Sequence, residues 1–455
     1  MKQLLDGVKK YMETYNNRFK LSSITWPIII QSFLNQLMGN INVLMLGHLS
    51  DKAVGAVGVA NQIIGMLGIT YTVISMGTII IVTQYLGAEK PKQAKDVAQM
   101  SVCIGIILGL MFSIILLVFG GNLLKFMNLP KDMLPYGTEY IRIVGGISFL
   151  QAGIIIFSSI LRSYGHTKLP MYVAVFMNII IIIGNYLFLF KPFGIPVLGV
   201  KGVGISTAIG SLIGLAIVGI STYRELKVGF TLKYLRQFDI RIFKLILKVG
   251  GPAAGEYIFY SLSQIIVTYI VTYLGTVAIN TRIYLQNITS FVNIISFSIG
   301  QGTQIIMGYM KGAGKVQDMH RTCIKSLKIA ALSNFALAVV FYIFSKQLIG
   351  IYTTDTTILH MGKNILLVDM FLEIGRAFNH TVGSALRGTG DVRYPVIISI
   401  CSMWGISVLL SFVLGVNLQL GLIGIWIASG LDEWIRGIIL LRRWHSKKWL
   451  KINIL

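Results

Sequence analysis

The stretch from Asp369 to Pro395 has the sequence DMFLEIGRAFNHTVGSALRGTGDVRYP, and apolar residues flank it on both sides. These flanks predict a helix embedded in a membrane. At about 100° per residue, such a helix places four ionisable side chains within an arc of about 60°: Asp369, Glu373, Arg376 and His380. Because ionisable groups at membrane depth are costly unless they face protein or water, this face is predicted to point inward.

The end of the stretch occurs twice in the chain. Residues 161–170 have the sequence LRSYGHTKLP and residues 386–395 have LRGTGDVRYP, so Leu, Arg, Gly and Pro recur with an offset of 225. Pro27 and Pro252 obey the same offset. This agreement indicates a duplication in which one half of the chain is written twice.

The composition is that of an integral membrane protein. Of 455 residues, 55% are hydrophobic and 13% charged, and the mean hydropathy is +0.74. The apolar runs are continuous and about 20 residues or longer, which is typical of membrane helices and not of a β-barrel. We predict an all-α fold with twelve spans, at residues 21–46, 53–83, 97–119, 137–161, 168–190, 202–223, 247–272, 276–309, 327–345, 364–386, 394–415 and 421–441.

The net charge of +23 is distributed unevenly between the two sides of the predicted membrane protein. Of the 40 Lys and Arg residues, 29 lie in predicted loops on the side of the N-terminus and 7 on the opposite side. This asymmetry predicts a multi-pass protein of the cytoplasmic (cell) membrane with both termini in the cytoplasm. The basic charge is therefore attributed to topology and to contact with lipid headgroups, and no nucleic-acid partner is expected. Residues 1–20, basic and amphipathic, are predicted to lie on the inner membrane surface.

The duplication suggests three parts: an N-terminal lobe at 1–226, a basic cytoplasmic linker at 227–246 and a C-terminal lobe at 247–455. Each lobe holds an even number of spans, so both copies have the same orientation. They are predicted to be parallel six-helix lobes related by a pseudo-twofold axis along the membrane normal, with a central cavity between them. We expect a monomer.

No residue pattern indicates an enzyme. The chain lacks H-E-x-x-H, G-x-S-x-G and Walker A motifs. Cys103, Cys323 and Cys401 are isolated, so neither a disulfide framework nor a zinc site is predicted. We expect no cofactor and no metal beyond a coupling ion.

Acidic residues within the spans are the candidates for ion coupling. Glu256 follows Pro252 by four residues, and we favour a proton-binding or cation-binding carboxylate over a structural acid. For Asp369, Glu373 and Arg376 a structural ion pair and a coupling site stay equally open.

Two further polar sets carry weaker predictions. Asp432 and Glu433, followed by Arg436, favour a structural network. Gln31 and Asn42 belong to a dense set of amides in the first span that either line a cavity or bond neighbouring helices.

Taken together, several motifs resemble those of the multidrug and toxic compound extrusion (MATE) family. The similarity runs from about residue 21 to 445. Its carriers are LRSYGHTKLP, LRGTGDVRYP, QYLGA after span two, IGQGTQIIMGYMKGAGK, EIGRAFN in span ten, and GIWIASGLDEWIRGIILLRRW.

The resemblance implies two six-helix lobes that export organic cations or other amphipathic compounds in exchange for Na⁺ or H⁺. It also shows two departures in the N-terminal lobe. Asn42 in span one and Asn185 in span five lie where many relatives have an acid. These amides keep the size and remove the charge, which shifts the predicted coupling site to Glu256 and the acids of span ten.

The sequence therefore predicts a cation-coupled antiporter that works by alternating access. Coupling ions are assigned to Glu256, Glu373 and Asp369, with Na⁺ near Glu256 or Glu373. The substrate cleft is assigned to seven side chains: Tyr257, Tyr260, Phe291, Arg376, Asn42, Asn185 and Gln31.

A flippase for a lipid-linked or amphipathic anion is the alternative, because Arg282 and Arg376 are predicted to face inward. A membrane enzyme or a receptor would need a catalytic cluster or a sensing domain, and the sequence shows neither.

Overall fold

The computed structural model describes residues 20–190, 197–231, 234, 236 and 238–454. Nearly all of the predicted surface segment at 1–20, and four positions of the predicted linker at 227–246, lie outside these described residues.

Long helices make up most of the structure, and the described residues contain no strand. The predicted all-helical fold is confirmed. The helices are α1 (Leu21–Gly47), α2 (Asp51–Gly87), α3 (Pro91–Phe126), α4 (Leu134–Gly145), α5 (Ser148–Ser163), α6 (Lys168–Phe190), α7 (Gly199–Leu226), α8 (Ile240–Thr272), α9 (Thr276–Gly312), α10 (Val316–Ile343), α11 (Ser345–Gly350), α12 (Thr356–Gly388), α13 (Arg393–Asn417) and α14 (Gly421–His445), followed by a short 3₁₀ turn, Lys448–Lys451.

Each of the twelve predicted spans coincides with one long helix, except that span four comprises α4 and α5, which are bent by 46° at residues 146–147. Span nine, predicted to end at 345, extends two residues beyond the last residue of α10, Ile343.

Hydropathy alone identifies fewer spans than helix length does. Among the described residues, six helices are long and apolar enough to cross a membrane, or seven if α4 and α5 form one bent span. Of the other long helices, α1 carries many polar but no charged side chains, and α8, α9, α12 and α14 carry both polar and charged ones. A helix that turns a polar face toward the protein interior loses mean hydropathy without losing length, which explains the difference.

Local sequence explains where α12 begins. Asp355 is its N-cap and accepts hydrogen bonds from the backbone N–H groups of Thr357, at 2.8 Å, and Ile358, at 3.4 Å. A carboxylate at this position satisfies N–H groups that have no partner within the helix and opposes the positive end of the helix dipole.

The repeated motif explains how α5 and α12 end. Gly165 and Gly390 both have positive φ angles, 81° and 94°, which glycine adopts without steric cost. After each glycine, a backbone N–H bonds back across the turn, from His166 to Leu161 O at 2.8 Å and from Asp391 to Leu386 O at 3.0 Å. This is the Schellman arrangement, so the two copies of the motif form the same helix-ending turn.

The described residues form two compact units. The N-terminal unit comprises residues 30–82 and 90–251, and the C-terminal unit comprises 20–29, 83–89 and 252–454. In the N-terminal unit, α5 packs against α3 and α7, and α6 packs against α7. In the C-terminal unit, α12 packs against α9, α10 and α14, so the stretch that begins at Asp369 lies at the centre of this unit. The predicted lobe boundaries and the pseudo-twofold axis stay predictions.

Candidate functional site

A cavity of about 600 Å³ lies within the C-terminal unit. Side chains of α8, α9, α12, α13 and α14 line it, and the part of α13 that contributes is the π-helical turn Met403–Val408. Turns of this kind interrupt the regular helix and often occur at functional sites. The charged lining residues are Arg282, Asp369, Arg376, Asp432, Glu433 and Arg436.

The charged face of α12 contributes directly to this cavity. Asp369 and Arg376 line it, while Glu373 is completely buried beside them, with a side-chain exposure of 0%. Further along the face, His380 Nε2 lies 3.0 Å from Asn293 Oδ1 of α9. The helical spacing therefore brings these groups to the interior of the unit, as their cost at membrane depth requires.

Five charged side chains, each buried or half-buried, form a continuous ionic network between α12 and α14. Glu373 pairs with Arg376, and Arg376 Nε lies 3.7 Å from Glu433 Oε1. Arg436 Nη2 then lies 3.0 Å from Glu433 Oε1 and 2.7 Å from Asp432 Oδ2. Three carboxylates thus share two guanidinium groups, which leaves a formal charge of −1 when all five are ionised. The ion pair between Glu373 and Arg376 that the sequence left open is present.

Neutral side chains of α10, α12 and α13 complete the network. Asn334 of α10 donates to Glu373 Oε2 at 3.0 Å, Asn379 of α12 donates to Glu433 Oε2 at 2.9 Å, and Ser402 of α13 donates to Asp432 Oδ1 at 2.5 Å. Buried carboxylates need such donors because they are otherwise costly to desolvate. Asp432, Glu433 and Arg436, which the sequence favoured as a structural network, also line the cavity.

Asp369 is bound differently from the other acids. Its side chain is nearly inaccessible, with 2% of the residue exposed, and Oδ1 accepts a hydrogen bond of 2.9 Å from Trp426 Nε1. No Lys, Arg or His nitrogen of the described residues lies within 4.0 Å of its carboxylate. Asp369 is thus a buried acid that accepts its hydrogen bond from a neutral donor, the Trp426 indole.

Glu256 lies apart from this group. It is not among the residues that line the cavity, and its Oε2 lies 3.3 Å from Arg387 Nη1 of the repeated turn. In the N-terminal unit, Arg162 Nη2 donates to Gln31 Oε1 at 2.7 Å. Gln31 and Arg162 precede Glu256 and Arg387 by the same offset of 225, so the duplicated arginines bind duplicated partners that differ in charge.

The three aromatic residues assigned to the substrate cleft are placed in different ways. Tyr260 lines the cavity, next to Gln264 one turn further along α8. Tyr257 is 55% exposed and, like Phe291, is not part of the lining.

The N-terminal unit holds a neutral polar site where the family resemblance placed acids. Asn185 Nδ2 donates to Asn42 Oδ1 at 2.8 Å, and Asn185 is completely buried. Ser148 and Gln151, which correspond by the offset to Glu373 and Arg376, bond to Tyr71 at 2.8 Å and Ser211 at 3.0 Å. Each of these four candidate positions in the N-terminal unit therefore carries an uncharged side chain.

The polar face of α9 is part of the site, and of its residues the sequence predicted an inward orientation for Arg282 alone. Arg282, Gln286, Thr289 and Asn293 recur at helical spacing and all line the cavity. The signal was present in the sequence as polar residues at i, i+4, i+7 and i+11 in a long membrane helix.

Within the described parts of the chain, no group of three or more His, Cys, Asp or Glu side chains converges to hold a metal ion. A coupling Na⁺ in this cavity would therefore need carbonyl, hydroxyl or amide oxygens in addition to one or two carboxylates.

Comparison with known proteins supports a transporter. The MatE family model matches residues 27–187 and 252–413, one block in each half of the duplication. The transporter YisQ of Bacillus subtilis is 39% identical over 451 residues, covering 99% of both chains. The probable multidrug resistance protein NorM of Thermotoga maritima is 26% identical over 443 residues, covering 96% of this chain and 94% of its own.

A solved structure of a MATE transporter has a similar fold. The structure of a D-to-N variant of the MATE transporter VcmN from Vibrio cholerae superposes with a TM-score of 0.87 at 18% identity, covering 96% of this chain and 99% of that one.

Proposed function

The chain belongs to the multidrug and toxic compound extrusion family of membrane transporters, and on that premise we propose that it is a secondary antiporter. It exports organic cations or other amphipathic compounds in exchange for Na⁺ or H⁺ by alternating access of its two lobes. The cavity of the C-terminal unit supplies both the cargo site and the coupling site.

The excess of acid around this cavity is the observation that supports the proposal. Four carboxylates lie at or beside the cavity, those of Asp369, Glu373, Asp432 and Glu433, together with three guanidinium groups, those of Arg282, Arg376 and Arg436, so one acid is in excess when all seven are ionised. Asp369 accepts its hydrogen bond from the neutral Trp426 indole. A buried excess of negative charge favours uptake of a cation or a proton. Asp369 and Glu373 are therefore the coupling residues, since both are buried at the cavity and belong to one face of α12.

Glu256 differs from Asp369 in its charged surroundings. Arg387 lies 3.3 Å from Glu256 and balances its charge, whereas no Lys, Arg or His nitrogen of the described residues lies within 4.0 Å of the Asp369 carboxylate. We expect substitution of Glu256 to affect transport less than substitution of Asp369.

The size and lining of the cavity suit an amphipathic cargo. A volume of about 600 Å³ is within the range of about 300–1,000 Å³ found for small-molecule sites. Tyr260, Met403 and Trp426 offer apolar surface, and the carboxylates offer attraction for a cationic group.

Transport into proteoliposomes tests the proposal. Export of a panel of amphipathic cations is measured while the Na⁺ gradient and the pH gradient are clamped one at a time. We expect one of the two gradients to drive export and Asp369→Asn to abolish the gradient-driven part, because the amide cannot gain and lose a proton or balance a cation's charge. The matched control is Asp132→Asn, which changes an exposed acid paired with Lys52 and should leave export unchanged.

Cargo binding to detergent-solubilised protein distinguishes loss of coupling from loss of folding. Asp369→Asn should still bind cargo. If neither gradient drives export of any compound in the panel, or if Asp369→Asn exports as the wild type does, the coupling assignment is wrong.

A flippase for an amphipathic anion is the second candidate, because the same cavity presents Arg282, Arg376 and Arg436. A flippase of this kind would move its substrate between leaflets without an imposed cation gradient. Transport of a fluorescent anionic lipid that is equal with and without gradients would favour it over the antiporter.

The cellular setting belongs to the same proposal. We place the protein in the cytoplasmic membrane as a monomer with both termini in the cytoplasm, in contact with membrane lipids and with no nucleic-acid partner. The positive charge of the loops on the N-terminal side supports this orientation.

A further inference from the structure

Arg282 of α9 is a buried cation that lines the cavity without an acidic partner. Only 4% of the residue is exposed, and its Nη2 donates to Gln264 Oε1 at 3.1 Å. Its Nη1 is buried and has no hydrogen-bond partner among the residues that the structure describes. Throughout the described parts of the chain, no carboxylate oxygen lies within 4.0 Å of the guanidinium.

The other arginines that are withdrawn from solvent in the C-terminal unit are bound differently. Arg376, Arg387, Arg436 and Arg443 each have at least one carboxylate oxygen within 4.0 Å. Arg282 is thus the exception within a unit that otherwise pairs its enclosed guanidinium groups with acids.

A buried guanidinium without a counter-charge is energetically costly unless an anion binds to it. Removing a guanidinium from water carries a free-energy penalty that a counter-charge normally offsets. A cavity-lining arginine with a free Nη1–H can recover that penalty by binding an anion. Its planar fork matches the two oxygens of a carboxylate or phosphate.

Gln264 adds a second donor at the same place. Arg282 has no acceptor atom, so the side-chain oxygen of Gln264 must be the atom that faces it. The NH₂ group of Gln264 therefore remains available as a donor, and Thr289 offers a hydroxyl in the same lining.

We infer that Arg282 and the Gln264 amide form a subsite for an oxyanion carried by the cargo, such as a carboxylate, phosphate or sulfonate. The preferred cargo is then an amphipathic zwitterion, with its anionic group at Arg282 and its cationic group near the acids of the cavity. The inference rests on the proposed function in one respect, namely that this cavity is the cargo site.

Equilibrium binding without any ion gradient tests the subsite. The probes are a xanthene dye with a free carboxylate and the methyl ester of the same dye, which differ in the oxyanion alone. Binding of each is measured by fluorescence polarisation to the full-length protein in lipid nanodiscs, in chloride-free buffer. The variants are Arg282→Gln, which removes the charge, and Arg282→Lys, which keeps it without the fork. The control is Arg241→Gln, whose side chain is exposed and paired with Asp239.

We expect the wild type and Arg241→Gln to bind the acid at least about tenfold more tightly than the ester, which is the scale of one charge-assisted hydrogen bond. Arg282→Gln should bind the two dyes equally, and Arg282→Lys should recover part of the preference. Retained binding of the cationic ester, as tight as in the wild type or tighter because Arg282→Gln removes a like charge, shows that the variants are folded.

Three results would overturn the inference. The first is a wild type that binds acid and ester equally, and the second is an Arg282→Gln variant that keeps the preference. The third is a preference that disappears in the wild type when chloride is restored, because the subsite would then serve a free inorganic anion and not the cargo. Failure of gradient-driven export would count against the antiporter and leave this binding difference intact.

Discussion

Removing Arg376 is the sharpest perturbation of the ionic network. In Arg376→Gln, Glu433 keeps Arg436 at 3.0 Å, whereas Glu373, completely buried, loses its cationic partner. The amide of Asn334 at 3.0 Å remains but carries no charge. Breaking a buried ion pair from one side costs about 3–5 kcal/mol, so we expect a loss of that size in the free energy of unfolding.

Substituting Glu373, the other member of the ion pair, should cost less stability. In Glu373→Gln, Arg376 still has Glu433 at 3.7 Å, so no charge is left isolated and the loss should be about 1–3 kcal/mol. The double variant removes both charges of the pair together. We expect it to be more stable than Arg376→Gln alone, with a coupling energy of about 2–3 kcal/mol between the two substitutions.

Reversible unfolding in mixed micelles, by titration with a denaturing detergent, measures these differences. Arg241→Gln is the matched control, because it removes an exposed arginine from an ion pair with Asp239 and should leave the free energy of unfolding nearly unchanged. Additive losses in the double variant, or a loss of less than about 1 kcal/mol in Arg376→Gln, would refute the electrostatic account of the network.

Two further substitutions have clear expected results. Gly87→Ala should destabilise the protein by about 1–3 kcal/mol, because a Cβ atom there would meet a backbone oxygen at 2.0 Å. The control is Gly58→Ala in the same helix, where a Cβ atom meets nothing within 4 Å, so this substitution should be neutral or slightly stabilising. Thermal unfolding compares the two variants. Trp426→Phe should lower the free energy of unfolding by about 1–3 kcal/mol, because it leaves Asp369 without its indole donor. Trp434→Phe loses a hydrogen bond to a backbone oxygen at an exposed position and should cost less. Equal losses of stability in the two variants would contradict the importance of the Asp369 hydrogen bond.

The fold was predictable because its signals are local or repetitive. From the continuous apolar runs, eleven of the twelve spans were predicted within the bounds of a single helix or of the bent pair. The predicted ninth span extends two residues beyond the end of its helix. The repeated motif that begins at Leu161 and at Leu386 marked two helix ends, which the structure shows to be identical turns. Periodicity along α12 brought its charges to one face, since the geometry of a helix depends on spacing alone.

The composition of the candidate site was only partly predictable, because it depends on packing between distant segments. Nothing in the spacing of Glu256 indicates that Arg387, 131 residues away, is its partner. The inclusion of Asp432 and Glu433 in the cavity follows from the packing of α14 on α12. The inward orientation of Arg282 was predictable, but the absence of an acid near it among the described residues depends on tertiary packing, which the spacing of residues does not determine.

The paired turns have a consequence for how the chain diverged after its duplication. Arg162 and Arg387 end their helices in the same backbone geometry, yet one binds the neutral Gln31 and the other the acid Glu256. An amide and a carboxylate of the same length both satisfy an arginine, so one copy could gain or lose a charge without rebuilding its helices. Backbone and electrostatics were thus free to evolve separately, which lets a protein of two similar halves confine its ion chemistry to one of them.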